Sequence, residues 1–208
     1  MHKVLDFIKK NKQFSFFLLL VILLALITIF APVIAPQDPY VSDLKNALQP
    51  PSSDHWFGTD KLGRDIFSRV IYASRSSLPA TLILVVLIFA IGTLLGTLAG
   101  YFGGWIDAVI MRISDMMISF PGMVLAIAVA GIMGASVKNA VIAVAVVSWP
   151  KYARLARSLV MKIRHEDYIY AAIVTGSKTS YILRKYMLPN IIPTLIITAA
   201  TDIGGMML

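Results

Sequence analysis

The sequence is poorest in the residues on which most enzyme chemistry depends. Its 208 residues include no cysteine, which excludes a disulfide framework and a thiolate metal site. The only histidines are His2, His55 and His165. They are scattered along the chain, with no cluster at metal-ligand spacing. Charged residues make up 14% of the chain, against about 25% in an ordinary soluble domain. A phosphate-cradling G-x-x-x-x-G-K-[ST] loop is absent. The nearest approach, Gly176-Ser177-Lys178-Thr179, has the wrong order, so the chain does not hydrolyse ATP itself. An intramembrane protease would need paired acids or a Ser/His pair within spans. Asp115 and Asp202 are the only candidate acid pair, and neither has a recognisable catalytic setting.

What the chain does have is apolar length. Hydrophobic residues make up 58% of it, and several uncharged runs exceed the roughly 18 residues that mark a membrane span. An all-α polytopic membrane protein is expected. The net charge is +8, and its placement says more than its size. Lys3, Lys9, Lys10 and Lys12 precede the first apolar run, while Lys151, Arg154, Arg157, Lys162, Arg164, Lys178, Arg184 and Lys185 lie between the fourth and fifth. Basic segments beside spans face the cytoplasm, so the N-terminus and the loop over 151–190 are placed inside. Nucleic-acid binding is the rival reading of such runs and is disfavoured next to spans.

In chain order, residues 1–36 read as a basic tail and a first transmembrane helix. The apolar core over 14–35 outruns a signal peptide and lacks a small-residue cleavage site. Residues 37–78 form the one sizeable loop on the far side. Its first part is extended by Pro36, Pro39, Pro50 and Pro51, and Ile66, Phe67, Val70 and Ile71 then recur at the spacing of an interfacial amphipathic helix. Residues 79–208 form the main transmembrane region. The second span, 79–102, carries Gly92, Gly96 and Gly100 four apart, a bare stripe for close helix packing, and Gly103-Gly104 turns the chain. The third span, 105–134, carries Arg112 and Asp115 three apart on one face, read as a neutralised pair at the helix end or a functional mark at the membrane edge. Pro121 is expected to kink this span or to start its membrane core afresh. The fourth is short before Pro150 and is expected to continue helically toward Lys162, with Trp149 and Tyr152 at the interface. A fifth begins at Ile191 and contains Asp202, the one acid placed deep in hydrocarbon. Gly204 and Gly205 beside it would permit close packing. A structural hydrogen bond to a neighbouring helix is the favoured role for Asp202, with ion coupling as the alternative.

The stretch from His165 to Asn190 organises the rest. His165, Glu166 and Asp167 suit a helix N-terminus, and Gly176 suits a C-terminal residue at positive φ. Ser177 can cap a second short helix that Pro189 ends. Ala171-Ala172, then Gly176, then Leu188-Pro189 resembles the cytoplasmic "EAA" loop of ABC-importer permeases. The family's glutamate position is Tyr170, which argues against a salt bridge from that site. A second block, Phe57-Gly58-Thr59-Asp60 followed by Gly63-Arg64-Asp65 and Ser68-Arg69, resembles the C-type subunit of the dipeptide, oligopeptide and nickel branch of these permeases. The G-G-W-x-D pattern from Gly103, running on to Ser119-Phe120-Pro121, does too. Gly58 and Gly63 suit turns, Asp60 suits a cap, and Arg64 with Asp65 could pin the loop.

The resemblance implies a type I ABC-importer permease fold of six spans in the bacterial cytoplasmic membrane, five of them visible here, with a sixth helix and tail expected beyond Leu208. It implies that Tyr170, Ala171, Ala172, Gly176, Leu188 and Pro189 dock on an ATP-binding subunit. It also implies a heterodimer with a related permease, two ATPase subunits that bind ATP and Mg, and an external solute-binding protein. No cofactor is expected on this chain. Peptide and nickel cargo both stay open. The alternative is an autonomous ion- or proton-coupled carrier working through Asp202.

Overall fold

A computed structural model describes residues 10–207; Lys3 and Lys9, two of the basic residues assigned to the N-terminal tail, lie outside them. The described residues are almost wholly helical: α1 (Lys12–Ile34), α2 (Ile66–Phe102), α3 (Gly104–Ser119), α4 (Gly122–Met133), α5 (Val137–Arg164), α6 (Asp167–Val174) and α7 (Thr179–Met206). Three of these, α1, α2 and α7, are long and apolar enough to cross a bilayer, or four spans if the bent pair α3–α4 counts as one. Helix α5 is 28 residues long but does not qualify, because Lys138, Lys151, Arg154 and Arg157 interrupt its apolar run. The chain is a multi-pass helical membrane protein, built of two compact units that divide after Pro79.

In the first unit, the loop between α1 and α2 folds around backbone that only glycine tolerates well. Gly58 and Gly63 both sit at φ +73°. At Gly63 a methyl group would collide with the Asp43 carbonyl, and at Gly58 with the Gln49 carbonyl. Thr59 and Asp65 pair as an isolated antiparallel bridge, and the Thr59 hydroxyl donates to the Asn46 carbonyl while accepting from the Gln49 N–H. Asp60 accepts from the Leu62 and Arg64 N–H groups at 2.8 and 3.0 Å. Its second oxygen takes the Arg64 guanidinium at 2.8–2.9 Å. The partner that pins Arg64 is therefore Asp60, four residues back, and not the adjacent Asp65. Asp65 is buried and caps α2, accepting from the Ser68 N–H at 2.7 Å, with His55 Nδ1 3.1 Å from its other oxygen.

One boundary differs from the sequence-based expectation. No separate interfacial helix ends before Pro79: α2 runs unbroken for 37 residues with Pro79 inside it. Proline's φ is already helical, so its cost in place is one missing N–H bond and local crowding. At 1.5 Å per residue, α2 is about 55 Å long, well beyond the roughly 30 Å of a hydrocarbon core.

In the second unit, the glycine stripe of α2 is the close contact that positions everything else. A methyl group at Gly92 would lie 2.8 Å from the Trp149 carbonyl. One at Gly96 would lie 2.8 Å from Ala156 Cβ, and one at Gly100 would lie 2.8 Å from the Arg157 carbonyl. Each of these neighbours belongs to α5. Between the two helices and their partners α6 and α7 lies one apolar core, including Ile88, Tyr152, Val160, Ile169, Met187, Ile191 and Leu195. Trp149 and Tyr152, expected at the interface, are both buried within this unit, Tyr152 at 1% exposure, and the bare Gly92 leaves room for the Tyr152 Cβ. Helices α3 and α4 bend by 94° at Phe120-Pro121, the break expected of Pro121.

Replacing Gly96 with Leu should destabilise the second unit by about 1–3 kcal/mol through overpacking. Gly131, where an added methyl would meet nothing within 4 Å, is the control. Thermal unfolding in detergent should show a lowered Tm for Gly96→Leu and little change for Gly131→Leu.

The first unit yields a pH prediction. The Arg64 guanidinium lowers the Asp60 carboxyl from 3.8 to about 2. For Asp65, burial pushes the pKa up, but the bonds from Ser68 and His55 outweigh it and leave the group below its ordinary value. A carboxyl lowered on folding contributes its full stabilisation above the unfolded value and loses it as pH falls through the folded one. Pepsin cleavage within 37–65, normalised to an unstructured peptide, should stay flat down to about pH 4 and rise toward pH 2. In Asp60→Asn it should already be raised at pH 5.

Candidate functional site

The segment between α5 and α7 is held to the core of the second unit and presents a compact apolar knob. Ile169 is fully buried and Ala172 is 7% exposed, so α6 is anchored through that face. Its other face carries Tyr170, Ile173 and Val174 at 50, 48 and 86% exposure. Ala171 is exposed. The paired alanines thus do different work: Ala171 lies on the open face, whereas Ala172 is small because the core packs against it. Tyr170, at the place of the expected acid, sets its hydroxyl 3.1 Å from His165 Nδ1.

The end of α6 is a closed C-terminal turn. The Ser177 N–H bonds the Ala172 carbonyl and the Gly176 N–H the Ile173 carbonyl, both at 3.0 Å, the two reverse bonds of a Schellman motif with its αL residue at the glycine. Gly176 has φ +77°, and an added methyl there would meet nothing within 4 Å. Glycine is needed there for backbone conformation and not for room among the described residues. After it, Lys178 and not Ser177 occupies the cap position. Pro189 does not end the second helix. Residues Leu183–Met187 form a π-helical turn, and the widened ladder lets α7 pass the proline. The Leu188 N–H bonds the Leu183 carbonyl, and Asn190 donates its side-chain amide to the Tyr186 carbonyl at 2.7 Å. Leu188 is half-buried and Pro189 exposed. An open groove beside the knob is lined by Ser177, Lys178, Ser180, Tyr181, Arg184 and Lys185.

The second feature is a ladder of ion pairs along α5. Arg157 grips both oxygens of Asp107 at 2.5 Å, Arg154 meets Asp115 at 2.6 Å, and Lys151 meets Asp202 at 2.7 and 2.8 Å. Tyr152 adds a hydroxyl bond to Asp202 at 3.0 Å. Asp115 therefore pairs with α5 and not with Arg112 on its own helix. Arg112 forms no ion pair among the described residues. Asp202 is not a lone intramembrane charge, and Gly204 and Gly205 have no close neighbours, so the packing expected of them is absent among the described residues. Sequence reasoning placed Lys151, Arg154 and Arg157 among loop charges and missed this ladder. Its signal was there: the three bases recur every three residues, one helical stripe.

The described residues contain no group of three or more His, Cys, Asp or Glu able to hold a metal.

Helices of membrane-crossing length, a glycine-seamed core and charges neutralised within it define a multi-pass membrane component. Residues 92–208 match the family described as binding-protein-dependent transport system inner membrane component, and residues 2–51 match the N-terminal transmembrane domain of oligopeptide transport permease C. The chain is 43% identical over 197 residues, 95% of its length, to the dipeptide transport system permease protein DppC of Alkalihalophilus pseudofirmus. It is 44% identical over 91% of its length to the probable D,D-dipeptide transport system permease protein DdpC of Escherichia coli. It is also 38% identical over 92% of its length to the nickel transport system permease protein NikC of the same species. It spans 65, 63 and 69% of those three relatives' own lengths. The chain belongs to the binding-protein-dependent transport system inner membrane component family.

The ladder should be graded by burial. Asp107→Asn loses a bidentate, largely buried pair and should cost about 1.5–3 kcal/mol. Asp115→Asn, whose carboxylate and partner guanidinium are 55 and 46% exposed, should cost about 0–1 kcal/mol. Detergent melts that reversed this order would contradict the grading.

Proposed function

We propose that this chain is a permease subunit of an ATP-driven importer, carrying small peptides or nickel across the cytoplasmic membrane with energy supplied by separate ATP-binding subunits. The observation that carries the reading is the segment over 165–190: a rigid knob, closed by the Gly176 turn, that leaves an apolar face open on a chain of this family. Tyr170, Ala171, Ile173 and Val174 supply the surface that enters a cleft on the ATPase, while Ile169 and Ala172 anchor it to the core. Leu188 and Pro189, past the π-turn, carry its motion directly into α7. The partners are a second related permease, two ATPase subunits that hold ATP and Mg, and an external solute-binding protein.

The basic last turn of α5 with Lys162 and Arg164, the bases Lys178, Arg184 and Lys185 that follow α6, and the lysines before α1 support a cytoplasmic N-terminus and knob under the positive-inside rule. The 37–78 loop then lies outside, and α5 crosses as a further span because its charges at 151, 154 and 157 are paired internally. Closure of the ATPase pair moves the knob, and α5 and α7 rock between outward-open and inward-open packings, a rigid two-state motion. Such coupling needs a stiff connection, which the Schellman turn and the uninterrupted α7 provide.

The test is affinity purification of this subunit from solubilised membranes of cells carrying the whole transport system. An ATP-binding subunit should be recovered with it. Gly176→Val places a β-branched residue at positive φ without any clash inside the chain, and should lower ATPase recovery or uptake about tenfold or more, a loss of ~1.4 kcal/mol per decade. Full uptake with normal assembly in that variant would refute the docking role. Transport by liposomes holding this chain alone would hand the function to an autonomous carrier.

A further inference from the structure

The Lys151–Asp202 pair does more than neutralise two charges, because it borders a cavity. The cavity measures about 400 Å³ and is lined by Ser148, Lys151, Asp202 and Gly205, with Ile118 and Val147 among its apolar walls. That volume lies within the ~300–1,000 Å³ range of small-molecule sites. Lys151 is 60% exposed whereas Asp202 is 15% exposed. The ammonium thus leans into open space while the carboxylate stays tucked against it and the Tyr152 hydroxyl. Counting along the helices at 1.5 Å per residue, Asp202 stands about 21 Å from the start of the α-helical stretch at Leu188, and Lys151 about 20 Å from Arg164. In the importer reading both helices cross the bilayer, and an ionisable pair between spans is a functional-site hypothesis.

We propose that this cavity is a station for zwitterionic solute, in which Lys151 takes a carboxylate and Asp202 takes an ammonium group. The inference rests on the importer reading and adds the chemistry of the passing solute. Its physical basis is charge balance. Opening the pair leaves two unpaired charges, and the cost falls chiefly on Asp202, which is 15% exposed. A solute with one carboxylate and one ammonium replaces both halves and leaves the site neutral. A neutral solute that opened the pair would leave both groups uncompensated, and a solute of single charge would leave one. Tyr152 holds Asp202 in place while its ammonium partner is exchanged. Among the described residues no other titratable side chain lines the cavity, so the exchange is between the pair and the solute alone.

The absence of cysteine from the chain makes the test direct. Ser148→Cys is introduced into the subunit within the assembled transporter, and its modification by an anionic, membrane-impermeant methanethiosulfonate is followed on this chain by mass. The cysteine should react, and saturating dialanine should slow the reaction about tenfold or more by occupancy. N-acetyl-dialanine amide, which has the same body without the charges, should have no effect. In Ser148→Cys/Asp202→Asn and Ser148→Cys/Lys151→Gln the protection by dialanine should be lost while the cysteine still reacts and the partner subunits still copurify. Absence of labelling, equal protection by the neutral analogue, or protection that survives both charge-removing variants would each overturn the proposal. Failure of the importer reading is scored separately, by loss of the ATP-binding subunit from the purified wild-type complex.

Discussion

The contact on which this structure depends is the approach of two helix backbones where water supplies no drive. Apolar side chains gain little by leaving lipid for one another, so association must come from dispersion and from polar groups that satisfy each other. Gly92, Gly96 and Gly100 let α5 lie against α2 closely enough that its carbonyls at Trp149 and Arg157 would be in contact with any added methyl. Once α5 is seated, its opposite charges have fixed addresses: Arg157 and Arg154 reach α3, and Lys151 reaches α7. The glycines decide the distance, and the ion pairs decide which neighbours surround it. The 94° break between α3 and α4 is tolerable in the same setting, since the pairs at Asp107 and Asp115 hold α3 to α5 before the chain turns at Pro121.

What could be read from the sequence was whatever depends on one residue's own backbone. Gly58, Gly63, Gly103 and Gly176 all sit at positive φ, where glycine signals are strong because other residues pay steric strain. The glycine stripe at four-residue spacing was legible for the same reason, since a missing side chain on one face can only serve close packing. What could not be read was pairing at a distance. Asp107 with Arg157 and Asp202 with Lys151 are fifty and fifty-one residues apart, and no local pattern joins them. Counting basic residues as loop charges was the natural error, because the positive-inside rule weighs a lysine without knowing whether an acid faces it. Proline misled in the opposite direction. Pro79 and Pro189 read as boundaries, yet α2 and α7 pass both, and at Pro189 the π-turn relaxes the ladder that the ring would otherwise obstruct.

The three pairs on α5 differ in a way that matters for a helix that must both hold and move. Arg157–Asp107 is bidentate, with side chains 31 and 19% exposed, while Arg154–Asp115 is a single contact between half-exposed groups. A planar guanidinium gripping both carboxylate oxygens is directional and resists rotation. Lysine on Asp202 makes a different kind of contact: a point charge on a flexible stem, free to swing while keeping its charge. Along one stripe the chain thus grades from a rigid clasp to a flexible one. The rigid clasp lies nearest the knob, and the flexible one borders the cavity.

That gradient connects the two ends of the second unit. A force applied at α6 reaches the core through Ile169 and Ala172, because those are the residues of α6 buried in it. It reaches α7 through continuous helix, because the π-turn carries the ladder past Pro189. Had Pro189 ended the helix, the knob would hang on a joint and its displacement would be absorbed locally. Had Gly176 been any β-branched residue, the turn that sets the knob's angle would be strained before any partner arrived. The same two features, one glycine and one irregular turn, therefore connect the exposed face of α6 to Asp202, about 21 Å beyond Leu188 along α7. A stiff connection between an open apolar face and a partly buried ion pair is what lets binding at one place change the packing at the other, since packed helices shift between discrete arrangements and do not deform gradually.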